Sequence, residues 1–161
     1  MAMLWVQQRG FISAKDAEKA ITAISSFSQK NYGEFRDTSA EDTAVIMRDY
    51  FDHEDIEVKN DVTSEDIKRE LVDGNLVIVP VNGQRIGNPF YTPPGPIQHM
   101  LVVRGYDADK KEFITNDPGT RRGEAFHYNE DILEAALQDY VTGYKEAIRE
   151  VKKVMIVVKG T

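Results

Sequence analysis

Leu76-Val77-Ile78-Val79-Pro80-Val81 is a short, unbroken apolar run rich in β-branched residues, and it divides the chain into two kinds of sequence. A run this brief has no polar face, so it reads as a strand covered on both sides and therefore central in its sheet. Downstream, apolar runs recur at Met100 to Tyr106 and Glu112 to Thr115, joined by Asp107-Ala108-Asp109-Lys110-Lys111, which is turn chemistry for a β-hairpin. Val154-Met155-Ile156-Val157-Val158 closes the chain as a last strand. Helices are expected between these strands, one from about Asn129 through Ile132, Leu133, Ala136 and Leu137, another from about Gly143 to Glu150.

Upstream of Leu76 the apolar spacing is helical. Ser13 with Asp16 three residues on suggests a capped start, and Ala17, Ala20, Ile21, Ile24 and Phe27 repeat on one face, predicting a helix over about Ala14 to Gln29. Thr38 or Ser39 caps a further helix through Ala44, Val45, Met47, Arg48 and Phe51. After a charged link, Thr63 or Ser64 caps a short one carrying Ile67 and Leu71 and ending near Asp73-Gly74. The opening Met1 to Arg9 is apolar and helix-compatible but has no N-cap. Its element either begins upstream of Met1 or is a short terminal helix. The plan is an α+β fold in a single domain over 1–161, mainly helical in 1–75 and sheet-rich in 76–161, with the N-terminal helices packed on a mainly antiparallel sheet.

Composition excludes several functions. The 161 residues carry a formal net charge of -7, which disfavours binding to a phosphate backbone, so nucleic acid is a poor partner. No stretch of about 20 apolar residues offers a membrane span. The start, Met1-Ala2-Met3-Leu4-Trp5-Val6, lacks the basic flank and long apolar run of a secretory signal. There are no cysteines at all, which rules out disulfides, thiolate metal sites and a cysteine nucleophile in this chain. No cofactor or metal is called for.

The three histidines can be weighed one by one. His53, in Asp52-His53-Glu54-Asp55, reads as part of a solvated acidic run, because a metal site would need ligands converging from elsewhere. His127, in Phe126-His127-Tyr128, reads as a packed or surface residue. His99 ends a loop over Asn82 to Gln98 that holds four of the six prolines, a shaped wall of the kind that often binds ligands, and it begins a hairpin strand whose partner ends at Asp117. A five-residue hairpin loop, with Tyr106 against a position near Lys110, brings His99 opposite Asp117. A four-residue loop brings it opposite Pro118, and only the first register puts both side chains on one face. A carboxylate beside a histidine fixes its tautomer and its angle toward a nucleophile, although such a pair can also simply satisfy itself.

The run His99-Met100-Leu101-Val102-Val103-Arg104-Gly105-Tyr106-Asp107, followed by Asn116-Asp117-Pro118 and preceded by the strand at Val77 to Val81, resembles the double-glycine-leader peptidase family. These are papain-like cysteine peptidases of the bacteriocin-processing type, many fused to exporters or found as stand-alone bacterial domains. The resemblance covers Leu71 to Val158 well and the helical part more loosely. It implies peptide-bond hydrolysis, a peptide or protein substrate, His99 as general base and Asp117 as its orienting partner.

In that family the cysteine stands at the N-terminus of a helix packed on the sheet, with a glutamine shortly before it completing an oxyanion hole. Met1 to Arg9 resembles the rear of that helix, which implies Leu4 and Trp5 against the sheet and Met1 near His99. This chain departs from the pattern in having neither the cysteine nor the glutamine, so it is expected to be inactive as it stands. The uncapped opening favours a chain that starts after its cysteine over a naturally inactive relative that keeps the cleft as a peptide- or protein-binding module. Ser13, Thr38 and Ser39 offer hydroxyls, but at cap positions unsuited to a nucleophile. Tyr91, Arg121 and Arg122 are candidate peptide contacts, with loop packing and exposed ion pairs as the plain alternative.

Overall fold

The computed structural model describes residue 2, residues 13–143, residue 148 and residues 150–160. Helices α1 (Ala14–Tyr32) and α2 (Ala40–Phe51) come first. They are followed by β1 (Ile56–Asn60), α3 (Ser64–Val72), β2 (Leu76–Val81) and a single turn, α4 (Gly83–Ile86). The hairpin strands β3 (His99–Asp107) and β4 (Glu112–Asn116) lead to β5 (Phe126–Asn129), α5 (Glu130–Ala136) and β6 (Val154–Val158). The fold is α+β, with six strands in the order β1-β6-β2-β3-β4-β5 and every neighbouring pair antiparallel. The opening helix lies outside the described residues except for Ala2, which is buried. With it fall the placements of Leu4, Trp5 and Met1, and most of the helix expected from Gly143.

Local chemistry explains the helix ends. Ser13, Ser39 and Thr63 each accept a hydrogen bond from the backbone N–H three residues on, and Thr63 with Asp66 forms a complete capping box. The start of α2 is also tied to the segment after α5, since the Ala40 N–H donates to Asp139 Oδ1 at 3.1 Å and the Ser39 N–H to Thr142 Oγ1 at 2.8 Å. Helix α1 runs to Tyr32, three residues beyond its expected end, and stops at Gly33 with φ of 77°. No helix among the described residues is long and apolar enough to cross a membrane.

Alternation along the strands sends side chains into two cores. Val77, Val79, Leu101, Val103, Phe113, Met155 and Val157 face one side, where Ile67 of α3, Ile86 of α4 and Leu133 of α5 cover them. Leu76, Ile78, Val102, Ile156 and Val158 face the other, under Ala40, Ala44 and Met47 of α2. Strand β2 is buried over its whole length between β6 and β3, as its continuous apolar run requires.

Two expectations are corrected. Ile56 to Asn60, expected as part of a charged link, is the edge strand β1. Glu57, Lys59 and Asn60 are poor strand formers, and pairing with β6 supplies what their propensity does not. The hairpin has a four-residue turn instead of five, with Asp107 paired to Glu112 and Tyr106 to Phe113. Asp107 Oδ1 accepts the Lys110 N–H at 3.1 Å and Lys111 takes a positive φ of 55°, which closes this turn.

A β-bulge in β3 decides what the hairpin does. Counted from its tip, an unbroken ladder would set Asp117 level with Val102, on the face away from His99. The bulge absorbs Arg104, so that Gly105 pairs with Ile114 but Val103 pairs with Thr115. Asp117, two residues beyond Thr115, therefore lies on the face of Leu101 and His99. His99 itself is the first residue of β3, paired with Val81 at the end of β2.

Single-residue deletions in β3 distinguish the two parities. Removing Arg104 should give a regular hairpin that keeps Val103 against Thr115 and His99 on the Asp117 face. Removing Met100 instead should turn His99 to the opposite face. Cross-strand nuclear Overhauser contacts from the His99 ring to residues 117–119 would report both, and their persistence after Met100 deletion would refute the assignment.

Candidate active site

Where β3 begins and β4 ends, His99 Nε2 lies 2.8 Å from Asp117 Oδ1. The contact is diagonal across the ladder, since continuation of the observed register puts Leu101 level with Asp117. The expected directly opposed pairing is therefore corrected, although the two side chains do share a face. Asp117 is 3% exposed, and the His99 side chain is 10% exposed. The second ring nitrogen, Nδ1, has no hydrogen-bond partner among the described residues.

A buried carboxylate is costly unless donors surround it, and here they do. Oδ1 accepts from His99 and from the Gly119 N–H, each at 2.8 Å. Oδ2 accepts from the Tyr91 and Tyr128 hydroxyls, each at 2.5 Å, and from Asn88 Nδ2 at 3.2 Å. The Asn88 amide also donates to the Tyr128 oxygen at 2.6 Å, and its carbonyl accepts the Phe90 N–H at 2.9 Å, which fixes which way the amide points. Burial opposes the charge on Asp117. The hydrogen bonds from His99, Tyr128, Tyr91 and Gly119 outweigh it and hold the carboxyl well below the usual carboxylate range. Burial, and then the bond to this carboxylate, pushes both phenols well above the usual tyrosine range, so they remain donors.

Four segments meet here. Asn88 and Tyr91 come from the Pro/Gly-rich loop, His99 from β3, Tyr128 from β5, and Asp117 and Gly119 from the turn after β4. Gly119 must lack a side chain, because a Cβ there would stand 2.9 Å from His99 Cε1 and 2.9 Å from Tyr91 Cε1. Gly123 is tighter still, with its carbonyl accepting the Asp117 N–H at 2.8 Å and a Cβ falling 1.8 Å from the Asp117 oxygen.

Sequence reading named His99, Asp117 and Tyr91 but missed Asn88, Tyr128 and Gly119. A buried aspartate needs donors, and Tyr128 faces the same side as Phe113, its partner in the ladder. Tyr91, a candidate peptide contact with loop packing as the plain alternative, is buried beside His99, the two rings T-shaped with centroids 5.4 Å apart. Arg121 and Arg122 are exposed, and Arg122 lies over the Phe90 ring at 4.7 Å. His53 is not solvated: it is buried, with Nε2 3.1 Å from the carbonyl of Lys159, the residue after β6. His127 is half-buried and pairs with Glu112 at 3.0 Å. The hydroxyls of Ser13 and Ser39 are engaged in capping and that of Thr38 is paired with Thr43. Among the described residues no group of three or more His, Cys, Asp or Glu side chains converges as a metal site would require.

The model of the Peptidase_C39 like family matches residues 6–150. The chain belongs to that family. A solved structure designated a C39-like peptidase from Bacillus anthracis aligns with a TM-score of 0.50 at 13% identity. The alignment covers 75% of this chain and 59% of that one, so this chain spans less than two thirds of the length of its neighbour. At that identity the likeness speaks for the fold alone. No curated protein matches the sequence.

The depressed Asp117 carboxyl makes a signed prediction. Its contribution to stability is complete above the unfolded aspartate pKa, about 3.9, and is lost as pH falls through the lower folded value. Asp117→Ala strands several buried donors and should cost about 3–5 kcal/mol near neutral pH, measured by urea unfolding. The deficit relative to wild type should shrink below about pH 4, where the wild-type carboxyl progressively loses its advantage.

Proposed function

We propose that the His99 face is a cysteine-peptidase-type site for peptides or proteins, with His99 as general base and Asp117 as its orienting partner. The observation that carries this is the 2.8 Å contact between His99 Nε2 and a buried, ionised Asp117. Such a contact keeps the proton on Nε2 and leaves the Nδ1 lone pair as the base, which is the state that activates a nucleophile. Membership of the family and the papain-like arrangement of helices on an antiparallel sheet support the same reading. Residues 1–161 are taken as one domain.

The chain has no cysteine, so it forms no acyl-thioester by itself and is inactive in this sense. Recognition without cleavage is the second reading, favoured by that absence together with the long loop that walls the site between β2 and β3. Bacterial origin and export-linked processing belong to the resemblance and not to any residue contact.

Two measurements test these readings. The purified chain should give no protein-dependent hydrolysis of a peptide library, whereas turnover lost on His99→Ala would reveal an unsuspected nucleophile and overturn the inactive assignment. Titration with extended peptides should shift the His99 ring resonances in NMR spectra. If no peptide from a diverse library moves them, the peptide-site reading fails and the pair is structural.

A further inference from the structure

We propose that Tyr91 is a positioning residue with two separable functions: its hydroxyl fixes Oδ2 of Asp117, and its ring, packed T-shaped on the imidazole, fixes the plane of His99. The inference rests on the dyad reading above and deepens it by naming what holds the dyad in shape. Tyr128 and Asn88 also bind Oδ2, but neither has a ring contact with His99. Tyr91 touches both members, with its oxygen 2.5 Å from Oδ2 and its ring at 76° to the imidazole.

The geometry explains why both contacts matter. A carboxylate that accepts at Oδ1 alone is free to rotate about its Cβ–Cγ bond and present either oxygen. Three donors on Oδ2 stop that rotation and leave Oδ1 aimed at Nε2. An imidazole held at one nitrogen can still swing about that bond, carrying Nδ1 away from any attacking group. The T-shaped contact with the Tyr91 ring and the close approach of Gly119, where a Cβ would stand 2.9 Å from His99 Cε1, leave the ring little room to do so.

Tyr91 also belongs to the cleft wall, so the loop and the dyad are mechanically joined. Its N–H donates to the Asn88 carbonyl at 3.2 Å, the Gly95 N–H donates to the Thr92 carbonyl at 2.9 Å, and a Cβ on Gly95 would stand 3.3 Å from Tyr91 Cδ2. The loop is therefore folded on the tyrosine that orients the base.

Two substitutions divide the functions. Tyr91→Phe keeps the ring and removes the hydroxyl; Tyr91→Leu removes both. The readouts, taken on the peptide-free chain, are the 15N pattern that distinguishes Nε2–H from Nδ1–H in neutral His99, the exchange rate of that proton, and the 13C titration of Asp117. The titratable groups facing Asp117 among the described residues are His99, Tyr91 and Tyr128.

Tyr91→Phe should move the Asp117 titration upward while Nε2–H stays the dominant tautomer. Tyr91→Leu should in addition lose that preference and exchange the ring proton at least about tenfold faster, the equivalent of one lost hydrogen bond. Tyr106→Phe, which removes a hydroxyl bound to Glu130 elsewhere, should change none of the three. An unshifted Asp117 titration in Tyr91→Phe overturns the hydroxyl function, and this isosteric variant decides that half even where Tyr91→Leu does not fold. A folded Tyr91→Leu protein with the wild-type tautomer and exchange rate overturns the ring function. A wild-type His99 that is not protonated at Nε2 sinks the dyad reading itself, so the two failures are distinguishable.

Discussion

A carboxylate that is 3% exposed stays charged only where the surrounding dipoles replace the water it has lost, and Asp117 sets that demand for this end of the molecule. Its donors come from the loop after β2, from β3, from the turn after β4 and from β5, so the charge can be satisfied only when all of these are in place. The fold thereby assembles a histidine–carboxylate pair as a condition of burying one charge. Removing a single donor would leave the charge under-solvated.

The scaffold serves this demand through register more than through packing. Strand alternation places His99, Leu101 and Val103 on one face, and the bulge at Arg104 brings Thr115 and Asp117 onto that face in spite of a hairpin tip that would otherwise set them on the other. On the same face, Phe113 and Tyr128 are ladder partners, which carries the Tyr128 hydroxyl toward Asp117. Two glycines then let the turn after β4 fold back closely enough for its N–H and carbonyl groups to bind the aspartate from the chain side.

Much of this was legible in the sequence because it depends on short-range patterns. The apolar run at Leu76 to Val81 sufficed for a central strand, and cap chemistry marked the helix starts at Ser13, at Thr38 or Ser39 and at Thr63 or Ser64, of which Ser13, Ser39 and Thr63 are the caps. His99 and Asp117 could be singled out because a hairpin brings its two mouths together whatever the detailed register. What escaped depends on contacts remote in sequence. The edge strand β1 takes its conformation from pairing with β6, nearly a hundred positions later, and its own Glu57, Lys59 and Asn60 argue against it. His53 looked solvated among acids, yet its environment is made by the Lys159 carbonyl. The bulge has no local signature beyond Gly105, and it is what reconciles a four-residue turn with a shared face for His99 and Asp117.

A second cluster in the same protein differs from the Asp117 group in one respect that bears on the proposed function. Lys68 donates to Glu130 at 2.5 Å and to Glu65 at 2.8 Å, lies 4.6 Å from the centre of the Tyr106 ring, and Tyr106 donates to Glu130 at 2.5 Å. The bonds to Glu130 and Glu65 hold the lysine well above its usual range, and those from Lys68 and Tyr106 hold Glu130 below the ordinary one. That cluster is a closed circuit of fixed charges: the ammonium stays protonated, the carboxylates only accept, and no group is poised to exchange a proton near neutral pH. The Asp117 group also joins a carboxylate to phenols and a nitrogen partner, but that partner is an imidazole with a second nitrogen. Among the described residues that nitrogen is bound to nothing. On the function proposed above, that second nitrogen would carry the lone pair that separates a proton-transfer site from a structural ion pair.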